Sequence, residues 1–231
     1  MPDALVIVAK APVIGQVKTR LCPPLSAAEA TELFCCFLVD TVARACTVPA
    51  VQVCLAFTPA DSEDLFRTLL PFPVRYLSQR GNSLGERLVN IFADLLQEGF
   101  TRVVIMDSDS PTLPTAYLQG AFARLGDARH DAVLGPCSDG GYYLVGARAV
   151  HPGLFEHITW STSLVLTETL AQARLHKLNV ALLPSWYDVD NGADLRKLAA
   201  ELGQLDGNAG VPRTQAFLIR LGLCPAERRS S

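Results

Sequence analysis

Residues 5–21, LVIVAKAPVIGQVKTRL, pass from five apolar residues into a cationic loop that holds a single glycine. Leu5–Ala9 has the length and apolar continuity of a buried strand. The loop after it sets Lys10, Lys18 and Arg20 around Gly15. A P-loop needs a second glycine upstream of its Lys-Thr pair, and none precedes Gly15 here. A dinucleotide fingerprint needs three glycines. A strand feeding a cationic loop of neither kind is the feature around which the rest of the chain has to be read.

Outward from that strand the pattern alternates. Ser26-Ala27-Ala28-Glu29 is a capping box, and apolar residues recur at helical spacing from Ala30 to Ala45, which predicts a helix over 27–46. Strands are predicted at 51–57, 74–77, 102–106, 132–134, 142–145 and 180–183. Helices are expected at 62–70, from the Ser83–Glu86 capping box to Gly99, and at 115–125, 163–175 and 192–202. This alternation predicts an α/β fold with a mostly parallel sheet and helices on both faces, a three-layer arrangement. Residues 1–205 are expected to form one domain. Residues 206–231 are read as linker and a short helix, 214–221, packed on the same domain, with the Gly-rich stretch 203–212 as the connection.

The bulk numbers agree with a folded enzyme-sized unit. The chain has 231 residues, 49% hydrophobic and 19% charged, enough for a sizeable core. A net charge of −3 and the lack of a basic stripe argue against nucleic acid as partner. No apolar run reaches the roughly 20 residues of a membrane span, and no leader pattern opens the chain, so a cytoplasmic protein is expected. Seven cysteines without a C-x-x-C spacing point to free thiols rather than to a zinc site.

In parallel α/β sheets ligands bind beyond the carboxyl ends of strands, which directs attention to the loops after Ala9, Leu77, Met106 and Leu134. Asp107-Ser108-Asp109 follows the strand at 102–106. Its carboxylates suit a hard divalent cation, and its residue types equally suit a turn. Asp188-Val189-Asp190-Asn191 precedes the last long helix, where Asp190 could join Asp109 at a metal, or Asp190 or Asn191 could cap the helix. Gly15 would let backbone approach a phosphate that Lys18 and Arg20 neutralise; the alternative is a solvated basic loop. Ser138-Asp139-Gly140-Gly141-Tyr142 either forms a tight turn or clears room for an acceptor whose hydroxyl Asp139 orients. Gln79, Gly81 and Asn82 carry groups able to read a base edge. The four histidines and the absence of G-x-S-x-G offer no nucleophile.

With these segments in this order, KAPVIGQVKTRL, MDSDSPTLP, GPCSDGGYYLVG, WST and DVDNGADL, the chain resembles the nucleotide-diphospho-sugar transferase superfamily over roughly residues 4–200. Within it the chain is most similar to a bacterial glycosyltransferase-like family associated with radical-SAM proteins and arsenosugar biosynthesis. It is also similar to the guanylyltransferases of molybdenum-cofactor and 2-phospholactate metabolism. The resemblance implies a Rossmann-like GT-A fold and a cytoplasmic, Mg²⁺- or Mn²⁺-dependent transferase taking a nucleotide or nucleotide-sugar and a small-molecule acceptor. It leaves a homodimer open. It implies Lys18, Arg20, Asp109 and Asp139 as catalytic residues, and Ala9, Lys10, Gly15, Lys18, Arg20, Gln79, Gly81, Asn82 and Ser108 as nucleotide contacts. Asp139, Gly140, Gly141 and Tyr142 fall on the acceptor side, and Asp109 and Asp190 at the metal, with Asp107 a further candidate. The chain departs from the family at Asp107 (glycine expected), Ser110 (cysteine common) and Asn191-Gly192-Ala193 (Thr-Pro-Glu usual). Glycosyl transfer from an NDP-sugar is the leading expectation. Nucleotidyl transfer with release of pyrophosphate is the alternative, and a non-catalytic nucleotide-binding protein the reading from another class.

Overall fold

Along the first strand, β1 (Asp3–Lys10), side chains alternate between two cores. Leu5, Ile7 and Ala9 belong to one buried cluster, and Ala4 and Val6 to a second on the opposite side. That period of two is what a strand covered on both faces must show. Each fully buried Leu, Ile or Val side chain there contributes about 1.5–3 kcal/mol. The computed structural model describes residues 2–204 and 210–225.

The elements follow in the expected order. They are α1 (Ala27–Ala45), β2 (Val51–Thr58), α2 (Glu63–Leu69), β3 (Arg75–Ser78), α3 (Leu84–Gln97), β4 (Val103–Met106) and α4 (Thr115–Gly126). After them come β5 (Ala132–Pro136), β6 (Tyr142–Ala147), α5 (Val165–Leu175), β7 (Val180–Leu182), α6 (Gly192–Gln204) and α7 (Pro212–Arg220). Among the described residues one seven-stranded sheet runs β3-β2-β1-β4-β6-β5-β7. All neighbours pair in parallel except β6, which is antiparallel to both β4 and β5. The antiparallel strand follows from the short turn at 137–141, which can only reverse the chain beside β5.

One face of the sheet is covered by α1, α2 and α4 through Val42, Phe66, Leu118 and Leu125. The other is covered by α3 and α5 through Leu88, Ile91, Leu95 and Ala173. A third buried cluster lies outside these layers, where Leu33 and Phe37 of α1 meet Leu195 and Leu198 of α6 and Phe217 and Leu218 of α7. The linker expected at 203–212 begins within α6, and its residues 205–209 lie outside the described residues.

Both helix starts carry the expected caps, with one difference. Ser26 Oγ accepts from Glu29 N at 3.2 Å while Glu29 Oε2 accepts from Ser26 N at 2.8 Å, a complete box. At α3, Ser83 Oγ accepts from Glu86 N, but the Glu86 carboxylate reaches one residue further back, to Asn82 N at 2.8 Å. The cause is local: Gly81, at φ +131°, folds so closely over the helix that a Cβ there would lie 2.8 Å from Glu86 Cβ. Among the described residues no helix is long and apolar enough to cross a membrane.

Candidate active site

The strands β1 to β4 end on one edge of the sheet, and their exits enclose a cleft of about 420 Å³. Ala9 and Lys10 line it from β1, Thr58 from β2, Gln79 from β3, and Asp107, Ser108 and Asp109 from β4. The first loop returns over it with Lys18 and Arg20, and Asp190 closes it from beyond β7.

The Lys18 side chain is buried, and its backbone is left-handed at φ 50°. Its ammonium lies 3.0 Å from Asp109 Oδ1 and 2.8 Å from Asp190 Oδ1, and it donates to the Val189 carbonyl at 2.8 Å. Two carboxylates far apart in sequence are thus brought to one cation. A backbone bond from Val189 N to Asp109 O, 3.0 Å, locks the two loops together. Burial disfavours the charged lysine, but the charges of Asp109 and Asp190 outweigh it and leave its pKa raised. The phosphate-facing role expected of Lys18 is therefore not the contact it makes in this conformation.

Asp107 stands differently. Its Oδ1 accepts from Asp109 N at 3.0 Å and Ser110 N at 3.2 Å, the bonds of a residue closing its own turn. Burial first, and the neighbouring Asp109 charge second, push its pKa well up. Its Oδ1 faces the loop's own amides and its Oδ2 the Ser110 hydroxyl, whereas the Oδ1 atoms of Asp109 and Asp190 face the Lys18 ammonium. Asp109 Oδ1 is sealed from solvent with the Lys18 ammonium beside it. Two carboxylates and a carbonyl around one point form an all-oxygen set of the kind that hard divalent cations take, so Asp109 and Asp190 fit Mg²⁺ or Mn²⁺.

Other expected residues divide. Arg20 is exposed at the cleft mouth with no ion pair among the described residues, and Lys10 reaches Gln16 O at 3.4 Å. Gln79 lines the cleft, and its Nε2 donates to Ala56 O at 2.7 Å. Gly15 (φ +76°) makes the loop's bend with open space where a Cβ would sit, outside the cleft lining. Gly81 and Asn82 also lie outside the lining and shape the start of α3. In their place Arg87, on the first turn of α3, enters the cleft while its Nε donates to Gly81 O at 3.1 Å. A basic residue four positions after the Ser83 cap was its only sequence signal.

The expected acceptor segment 139–142 is not part of this cleft wall. Tyr142 turns into the second core against Trp160, and burial pushes its hydroxyl pKa up. Gly140 packs so tightly that a Cβ would lie 2.2 Å from Ser163 O. Asp139 is exposed, its Oδ1 accepting from Gly141 N at 2.8 Å. It stands with Cys137 and Asp188 in a group whose ligand atoms lie within 4.8 Å of one another. Cys137 Sγ donates to Asp188 Oδ1 at 3.2 Å, and burial, then the Asp190 charge, raise the Asp188 pKa to about 6.

Comparison with known proteins bears on what this cleft serves. The profile of a family described as uncharacterized proteins conserved in bacteria, DUF2064, matches residues 41–162. A phosphoenolpyruvate guanylyltransferase of Mycolicibacterium gilvum (strain PYR-GCK) is 32% identical over 130 residues, covering 52% of this chain and 58% of that protein. The chain thus spans under two thirds of that curated relative. A candidate nucleotide-diphospho-sugar transferase from Desulfovibrio desulfuricans G20 superimposes with a TM-score of 0.86 at 31% identity, covering 96% of this chain and 97% of the other. CMP:2-keto-3-deoxy-manno-octonic acid synthetase, solved with CTP, shares the fold alone, with a TM-score of 0.59 at 13% identity over 88% of this chain and 99% of its own.

Proposed function

Because the chain belongs to the DUF2064 family of bacterial proteins, within the nucleotide-diphospho-sugar transferase superfamily, we propose that this nucleotide-dependent transferase transfers a nucleotidyl group from an NTP to a small acidic acceptor. The observation that carries this reading is the convergence of Lys10, Lys18, Arg20 and Arg87 with the Asp109–Asp190 pair in one cleft. Lys10, Arg20 and Arg87 have no carboxylate partner among the described residues, and three such cations suit the charge of a triphosphate. The guanylyltransferase relative supports the same reading.

In this mechanism an oxygen of the acceptor attacks the α-phosphorus, the α–β P–O bond breaks, and the electron pair leaves with pyrophosphate. Arg20, Lys10 and Arg87 hold the β- and γ-phosphates in line and stabilise the charge growing on the leaving group. Asp109 and Asp190 would hold the divalent cation, which when bound draws off the negative charge of the reacting phosphates. A phosphate or carboxylate acceptor arrives without a proton to lose. A hydroxyl acceptor must also lose its proton, and Asp139 or Asp188, carboxylates outside the cleft lining, would have to be reached by the acceptor to take it.

Glycosyl transfer is kept as a second reading, because the Desulfovibrio protein matched over 97% of its length carries a nucleotide-diphospho-sugar transferase name. The test is a panel of NTPs and NDP-sugars with Mg²⁺ or Mn²⁺ and phosphorylated, carboxylated and hydroxylated acceptors. Acceptor-dependent pyrophosphate release is expected. Release of NDP from an NDP-sugar, with no pyrophosphate from any NTP, would replace the nucleotidyl reading by the glycosyl one.

A further inference from the structure

The Oδ1 atoms of Asp109 and Asp190 converge on one point, and the Lys18 ammonium fills it. With the Val189 carbonyl at 2.8 Å, its three donors have three oxygens within reach. These are the same two carboxylate oxygens that the divalent cation takes on the function proposed above, and the inference rests on that reading. An ammonium and a divalent cation on the same oxygens would repel strongly at such range. Simultaneous occupancy is excluded.

The geometry points to Lys18 as an internal competitor for the metal: the divalent cation enters only as the ammonium leaves the carboxylate pair. The departing side chain has a destination, because Lys18 lines the same cleft as Lys10 and Arg20, where a polyphosphate would lie. A bound nucleotide therefore stabilises the displaced lysine and frees the carboxylates together. Metal alone binds weakly, and nucleotide makes it bind tightly. If the ammonium holds the pair in about nine molecules of ten, the apparent metal affinity falls about tenfold.

This predicts a sign that a residue merely assisting binding cannot produce. In titrations without nucleotide, followed by Mn²⁺ electron paramagnetic resonance, Lys18→Met is expected to bind Mn²⁺ about tenfold tighter than the unmodified chain. A non-hydrolysable NTP analogue should then tighten Mn²⁺ binding more in the unmodified chain than in Lys18→Met. Equal or weaker Mn²⁺ binding by Lys18→Met, with Asp109→Asn still abolishing it, overturns the competition and leaves the metal site standing. Unchanged Mn²⁺ binding on adding Asp109→Asn to Lys18→Met overturns the metal site itself, and with it the proposed function. If the methionine variant does not fold, Lys18→Gln, which keeps a donor for the Val189 carbonyl, takes its place in the same titration.

Discussion

Arg20 and Lys18 are two residues apart, yet one is free in the cleft mouth and the other is held by two carboxylates. Sequence spacing groups them as a phosphate clamp; only the left-handed backbone at Lys18, unusual for a side chain with a Cβ, separates their directions. Arg20→Ala is therefore expected to weaken nucleotide binding about tenfold or more, the scale of one charge-assisted hydrogen bond, with the melting temperature unchanged. Calorimetric titration with an NTP analogue checks the first half, and a thermal melt of the unliganded variant checks the second. His151 carries a separate, pH-dependent prediction. Burial lowers its pKa, against a smaller opposing effect of Asp131. The unfolded chain thus binds the proton more readily, so stability is present above about pH 6.5 and is lost as pH falls through the lower folded value. Urea midpoints measured between about pH 7.5 and pH 5 should fall less for His151→Gln than for the unmodified chain. At this scale the places of Asp109 and Asp190 in the cleft were legible, the one from a strand end and the other from the loop before the last long helix. Asp107 was ambiguous, because a carboxylate that closes its own turn and one that faces a ligand look the same in a D-x-D. Arg87 was not legible, since a helix surface arginine is ordinarily a solvated one.

Among the elements, the strand–helix alternation was readable because β1, β2 and β4 are apolar on both faces while α1 and α3 begin at side-chain caps. The direction of β6 was not given by periodicity, since a buried strand reads the same both ways; the five-residue turn between β5 and β6 decides it. The same turn is held by packing. Its paired glycines suggest room for an acceptor, but Gly140 is at φ +94° with the Ser163 carbonyl where a side chain would go, and Leu166 N donates to Gly140 O at 2.9 Å. The turn is thereby fastened to the start of α5. Gly140→Ala combines a disfavoured backbone with a steric clash and is expected to destabilise by about 2–4 kcal/mol, read from chemical denaturation. Gly15→Ala meets open space and carries only the conformational part, about 1 kcal/mol. A smaller effect at 140 than at 15 would contradict the packing described.

For the molecule as a whole, α7 extends the fold beyond the three layers. The buried Asp40 of α1 accepts from Arg213 N at 3.2 Å and Thr214 N at 2.8 Å, taking up two of the amides that a helix start leaves unpaired. Asp40→Ala is expected to destabilise by about 2 kcal/mol, lowering the melting temperature by roughly 4–8 °C for a chain of this length. Nothing in the sequence paired residues 40 and 213, because their contact is made between helices and leaves no periodic trace. α1 is consequently packed on several sides, with Ala28 and Glu32 left exposed. Val42 and Ala45 face the sheet, Leu33 and Phe37 face α6 and α7, and Phe34 reaches the lining of the cleft. A helix shared by two cores is expected to couple their unfolding. The C-terminal cluster is therefore expected to melt with the rest, and calorimetry of Asp40→Ala should show a single endotherm displaced downward rather than a shoulder. Cooperativity of that kind would give substitutions in α7 a physical route to the cleft, because Phe34 of the shared helix α1 lines it.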